Sequence, residues 1–62
     1  MIGKVVQLTK NSGGTWSAAM TIGVNADGSL RLAQFEPGGK SLDLQDNITN
    51  DVTQPKHWRE VQ

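Results

Sequence analysis

Nucleophilic catalysis needs a nucleophile held beside a base. This chain has one histidine, His57, and no cysteine. Its serines, Ser12, Ser17, Ser29 and Ser41, fall at turns or strand starts, where serine is ordinary. A lone histidine without cysteine also leaves no structural zinc set. Asp43, Asp46 and Asp51 cluster in sequence. Asp43 reads as solvent-facing and the other two as members of a polar loop, with nothing apolar nearby to shift a pKa. The calcium-loop pattern of alternating acids and a terminal glutamate is not met. Asn11-Ser12-Gly13-Gly14 could offer backbone amides to an anion. It lacks the Gly-Lys-Ser/Thr of a P-loop, and no helix follows it. The chemistry expected of these residues is binding without catalysis, metal or cofactor.

The aromatic residues carry more information. There are three, Trp16, Phe35 and Trp58. Phe35 reads as core, and each tryptophan reads first as core or oligomer interface. The functional reading is a stacking surface flanked by Arg31, Lys40, Lys56, His57 and Arg59. Tryptophan beside cations suits a ring that bears phosphate, and it equally suits a protein hot spot. The candidate ligand-binding set is therefore Trp16 and Trp58 for stacking and Arg31, Lys40, His57 and Arg59 for charge, with Asn11 and Ser12 for hydrogen bonds.

Strands separated by tight turns must position this set. Turn signals recur about every eight to twelve residues, the spacing of a small sandwich or barrel. They are Asn11-Ser12-Gly13-Gly14, Asn25-Ala26-Asp27-Gly28 and Glu36-Pro37-Gly38-Gly39. Glycine reaches positive φ without steric cost, Asn and Asp bond their own backbone, and Pro37 pre-sets a turn's second position. Between the turns the period is two. Trp16, Ala18, Met20, Ile22 and Val24 alternate with Thr15, Ser17, Ala19, Thr21 and Gly23, which predicts a strand with the first set as its core face. Val6 and Leu8 share a face before it, and Leu30 and Leu32 share one after it. Phe35 is out of phase, which predicts a bulge near Ala33-Gln34. Leu42 and Leu44 alternate with Ser41, Asp43 and Gln45. Asp46 to Gln54 reads as a polar loop or one helical turn, closed by Pro55, before a short last strand over 57–61. The expected fold is all-β: a single five-stranded SH3-like barrel over residues 1–62.

Size and charge bound the partners. A chain of 62 residues is one small domain, and such domains usually need a staple beyond their core. With no disulfide available, self-association is the expected one, so a homo-oligomer is expected. Six Lys and Arg balance six Asp and Glu. That balance argues against nucleic acid, whose phosphates select a basic excess, and against an anionic membrane surface. No apolar run approaches the roughly 18 residues of a bilayer span, and Met1 to Val6 lacks the parts of a secretion signal. The sequon Asn47-Ile48-Thr49 is therefore idle, and a cytoplasmic location is expected.

The stretch from Trp16 to Met20, then Gly23 to Leu32, Phe35 and Gly38-Gly39, resembles a family of short phage and prophage proteins. Those proteins open a strand with Trp or Trp-Ser, carry a Phe before a Gly turn and end in a Trp-rich tail. His57-Trp58 is similar to that tail, with Lys56 and Arg59 standing where the family tends to have Trp and Pro. The resemblance covers roughly residues 15 to 60. It implies an SH3-like fold and a setting in the host cell of a phage. The plasmid-borne SH3-like dihydrofolate reductases are a poorer match. Their pore signature ends in tyrosine, whereas this chain has Val6-Gln7-Leu8-Thr9 and no tyrosine. Together these readings lead to the expectation of a phage-type counter-defence protein that sequesters a nucleotide-like signal or a host defence protein. The alternative is a structural or assembly accessory of the phage particle.

Overall fold

Every apolar stretch of this chain is short and bounded by turn residues, so strands rather than helices form. The computed structural model describes residues 1–35 and 41–61. Five strands run in chain order: β1 (Val5–Thr9), β2 (Ser17–Val24), β3 (Leu30–Phe35), β4 (Leu42–Ile48) and β5 (His57–Arg59). They make one antiparallel sheet, ordered β4-β3-β2-β1-β5, curled into a half-barrel. A parallel bridge between Thr49 and His57 and the bond from Trp58 N–H to the Thr49 carbonyl, 2.9 Å, draw the end of β4 towards β5.

The first two turn signals form turns. Between β2 and β3, Gly28 sits at φ 88°, where only glycine is unstrained. Its N–H donates to the Asn25 carbonyl at 3.0 Å, and the Asn25 N–H donates to the Ser29 carbonyl at 2.8 Å. The third signal, Glu36 to Gly39, lies outside the described residues. A further local device recurs twice. Asp27 accepts from the Ser29 amide and hydroxyl, at 3.0 and 2.6 Å. Asp51 accepts from the Thr53 amide and hydroxyl, at 2.9 and 2.6 Å. In both, Asp followed two residues later by Ser or Thr closes a side-chain turn.

Those donors favour the ionised carboxylate. The Ser29 hydroxyl first, then its amide, holds Asp27 below its ordinary value of 3.8, and the Thr53 hydroxyl and amide do the same for Asp51. The Asn25 side chain and the Asn47 amide lower Asp46 likewise. A depressed folded-state pKa adds stability that is complete above the unfolded value and lost as pH falls through the folded one. The urea midpoint should therefore hold steady from neutral pH to about 4.5 and fall below it. Asp27→Asn and Asp51→Asn together should reduce that acid limb. An undiminished limb in the double variant would assign it to other groups.

The core lines the inside of the curl. Val6 and Leu8 of β1, Ala19 of β2, Leu30 and Leu32 of β3, and Ile48 of β4 form it, with the half-buried Trp58 packed against them. The strand expected over β2 is present, but its faces are reversed. Ala19 and Thr21 are buried, while Ala18, Ile22 and Val24 are exposed and Met20 is half-buried. The concave side of a small curled sheet narrows between its strands, so small side chains fit there and long ones face outward.

The same logic corrects Phe35, which is exposed on the outer face. No bulge sits at Ala33-Gln34. The register Ala33↔Leu44, Gln34↔Asp43, Phe35↔Leu42 is unbroken, and the irregularities fall between Leu30 and Leu32 and between Thr21 and Gly23. β4 also continues through Asp46, where a loop was expected, to a buried Ile48. Asp43, expected in solvent, is half-buried and accepts from Lys10 Nζ at 3.3 Å and Gln45 Nε2 at 2.7 Å.

Candidate functional site

The site begins with β1. Its alternation sends Val6 and Leu8 inward and Gln7 and Thr9 the other way. The β1–β5 register pairs Gln7 with Arg59, Leu8 with Trp58 and Thr9 with His57. His57 and Arg59 therefore share the face of Gln7, while Trp58 turns to the core with Leu8. Trp16, immediately before β2, meets them there. The Arg59 guanidinium lies 3.8 Å over the Trp16 ring. The His57 ring meets Trp16 edge-on, with centroids 5.3 Å apart and planes at 79°.

Each member is held by further contacts. Arg59 Nε donates to Gln7 Oε1 at 2.7 Å. His57 is buried, and its Nδ1 lies 2.8 Å from the Gln54 carbonyl. A carbonyl only accepts, so Nδ1 carries the proton. The turn that delivers Trp16 is built on Thr9, whose hydroxyl accepts from the Asn11 and Gly13 amides at 3.3 and 2.9 Å. It donates in turn to Asn11 Oδ1 at 2.9 Å. Asn11 Oδ1 also accepts from the Thr15 amide at 2.9 Å, and Asn11 Nδ2 donates to the Thr15 hydroxyl at 3.1 Å.

These bonds bear on the turn as an anion cradle. The Ser12 amide donates to the Pro55 carbonyl at 2.9 Å and the Gly14 amide to the Asn11 carbonyl at 3.2 Å. With the Gly13 and Thr15 amides also engaged, the turn's N–H groups hold the loop together and do not converge on a ligand. Ser12, at φ 60°, and Asn11 shape the turn beside the aromatic cluster.

The candidate residues thus separate. Trp16, His57 and Arg59 come together, with Asn11 and Ser12 in the adjoining turn. Trp58 belongs to the core. Arg31 lies against Gly23 and pairs with Asp46, Nε to Oδ2 3.8 Å. Lys40 lies outside the described residues. Gln7 and Thr9, which set Arg59 and the Trp16 turn, carry no sequence signal beyond the alternation of β1.

The charges around the cluster are uneven. Among the described residues Lys4, Lys10 and Arg31 each have a carboxylate within 4.0 Å, and Arg59 has none. Its terminal nitrogens also have no protein acceptor among the described residues. A guanidinium held over an indole with its Nε fixed by Gln7 keeps its two terminal nitrogens for a further acceptor, which suits it to donate to an anion. A separate cleft of about 460 Å³ lies between the end of β4 and the 50–56 segment, with Asp46, Asp51 and Lys56 on its walls. Two carboxylates against one lysine make that cleft a poor seat for an anion. No protein-family model, curated protein or solved structure matches this chain.

Proposed function

We propose that this chain is a non-catalytic SH3-like binding barrel that captures an anionic, ring-bearing ligand of nucleotide type at Trp16, His57 and Arg59. The observation that carries the reading is the uncompensated Arg59 guanidinium stacked on Trp16. The strand order β4-β3-β2-β1-β5, with β4 and β5 meeting through the Thr49–His57 bridge, supports the barrel reading. In the phage setting that the sequence resemblance implies, such capture is counter-defence by sequestration, which needs affinity and no chemistry. Among the described residues, the one hydrogen bond of the His57 ring runs to a backbone carbonyl, an arrangement suited to holding the ring in place.

Calorimetric titration with cyclic dinucleotides and with ADP-ribose tests this reading. One of the two classes should bind. Trp16→Ala should cost ~1–3 kcal/mol, the usual worth of one stacked base. Arg59→Ala should weaken binding and flatten its salt dependence. No heat from either class, with a host or virion protein co-purifying instead, would discard small-molecule capture for protein binding.

A further inference from the structure

Position 7 holds an uncharged amide where the other paired cations meet carboxylates. Strand alternation sets Gln7 on the face opposite Val6 and Leu8, and the β1–β5 register brings Arg59 directly across from it. Lys4, Lys10 and Arg31 stand beside the carboxylates of Glu60, Asp43 and Asp46. Arg59 instead gives its Nε to Gln7 Oε1 at 2.7 Å. The carboxylate next to it in the chain, Glu60, is turned to the other face by the same alternation. There Lys4 Nζ takes both its oxygens, at 2.7 and 2.6 Å. The residue on the other side of Gln7 is Ala18, exposed and without a polar atom to offer the guanidinium.

We propose that Gln7 is the positioning residue of the anion site, and that its neutrality is what keeps Arg59 available to a ligand. This rests on the ligand reading above and adds to it the manner of binding. A guanidinium can meet an oxyanion with two parallel bonds side-on, through Nε and a terminal nitrogen, or end-on, through its terminal pair. Gln7 occupies Nε, so the end-on fork is left for two oxygens of one phosphate. A glutamate at position 7 would hold Nε as well, but its charge would cancel the one the ligand needs. An aliphatic residue would spare the charge and lose the hold, so the flexible arginine would have to be ordered at the expense of ligand affinity. The amide accepts a bond and brings no charge. The other contact that fixes Arg59, the Trp16 ring 3.8 Å away, is also uncharged. Among the described residues, both supports of the guanidinium therefore leave its charge uncancelled.

Inorganic pyrophosphate is the probe, titrated into the full chain and followed by nuclear magnetic resonance at the Arg59 Nε proton and the Trp16 indole. In the unaltered chain the Arg59 Nε proton should exchange with water several-fold more slowly than that of Arg31, whose Nε stands 3.8 Å from its carboxylate. Gln7→Glu should keep that protection yet lose about tenfold or more in pyrophosphate affinity, the worth of one charge-assisted bond, with a flatter salt dependence. Gln7→Met should lose the protection, keep the salt dependence and bind several-fold more weakly. A merely structural Gln7 would not separate the two variants in this way. Unchanged affinity in Gln7→Glu overturns the proposal and leaves the ligand reading standing. So does an Arg59 Nε proton that exchanges as fast as that of Arg31 in the unaltered chain. No response of Arg59 to pyrophosphate in the unaltered chain overturns both. If Gln7→Glu fails to fold, Gln7→Met and the exchange rate in the unaltered chain decide.

Discussion

Leu32→Ala is expected to abolish the cooperative unfolding transition at room temperature. Leu32 is 0% exposed. It pairs with Thr21 on one side and Gln45 on the other, so its side chain has a neighbour strand on both flanks and little freedom to collapse into the space left behind. Removing a buried leucine costs about 2–5 kcal/mol through lost transfer energy and the remaining cavity. A domain of this size without a staple holds only ~3–5 kcal/mol in all. The two are of one magnitude, so most molecules of the variant should be unfolded. The control is Val52→Ala in the 50–56 segment. Val52 is 74% exposed, and the change should stay within ~0.5 kcal/mol. Urea unfolding followed by circular dichroism reads both. A Leu32→Ala midpoint close to that of the unaltered chain would mean that the stabilising contacts lie elsewhere.

The second large effect is expected at Thr9→Val. Shape is nearly kept, but the hydroxyl that serves the Asn11 and Gly13 amides and the Asn11 side chain is lost. Thr9 is fully buried, so water cannot readily replace it. Leaving the part-buried Asn11 and Gly13 amides without their acceptor should cost about 1 kcal/mol, towards the lower end of the penalty for an unmade bond. The consequence extends beyond stability, because this turn carries Trp16 onto Arg59 and His57. The Trp16 indole resonance should move towards its solvent position in Thr9→Val and stay in place in Thr9→Ser, which retains the hydroxyl. A Trp16 resonance unmoved by Thr9→Val would show that β2 alone positions the ring.

Much of the local architecture was legible in the residues. The turns at Asn11–Gly14 and Asn25–Gly28 form where their chemistry placed them, because a turn depends on a few adjacent side chains and on glycine's access to positive φ, as at Gly28. Period-two alternation marked β2 correctly as a strand, because a strand sends successive side chains to opposite faces wherever it lies. The all-β class followed from those two local signals together.

Which face is inside is a different kind of question, and here the alternation of β2 pointed the wrong way. Trp16, Ala18, Met20, Ile22 and Val24 are the more apolar set, yet the curl of the sheet left space inside only for Ala19 and Thr21. Curvature belongs to the assembled sheet and is written in no single strand. The same holds for the candidate site. Trp16 and Arg59 lie far apart in the chain, and their contact exists because β5 pairs with β1 in the register that sets Arg59 opposite Gln7. A shift of one residue would have turned Arg59 to the core and Trp58 to Trp16. The amino-acid sequence by itself determined the strands, the turns and the scarcity of catalytic groups, since these rest on neighbouring residues. Only the tertiary structure decided the buried face, the partner of Arg59 and the apolar surface left uncovered, since each depends on pairings between segments that no local pattern encodes.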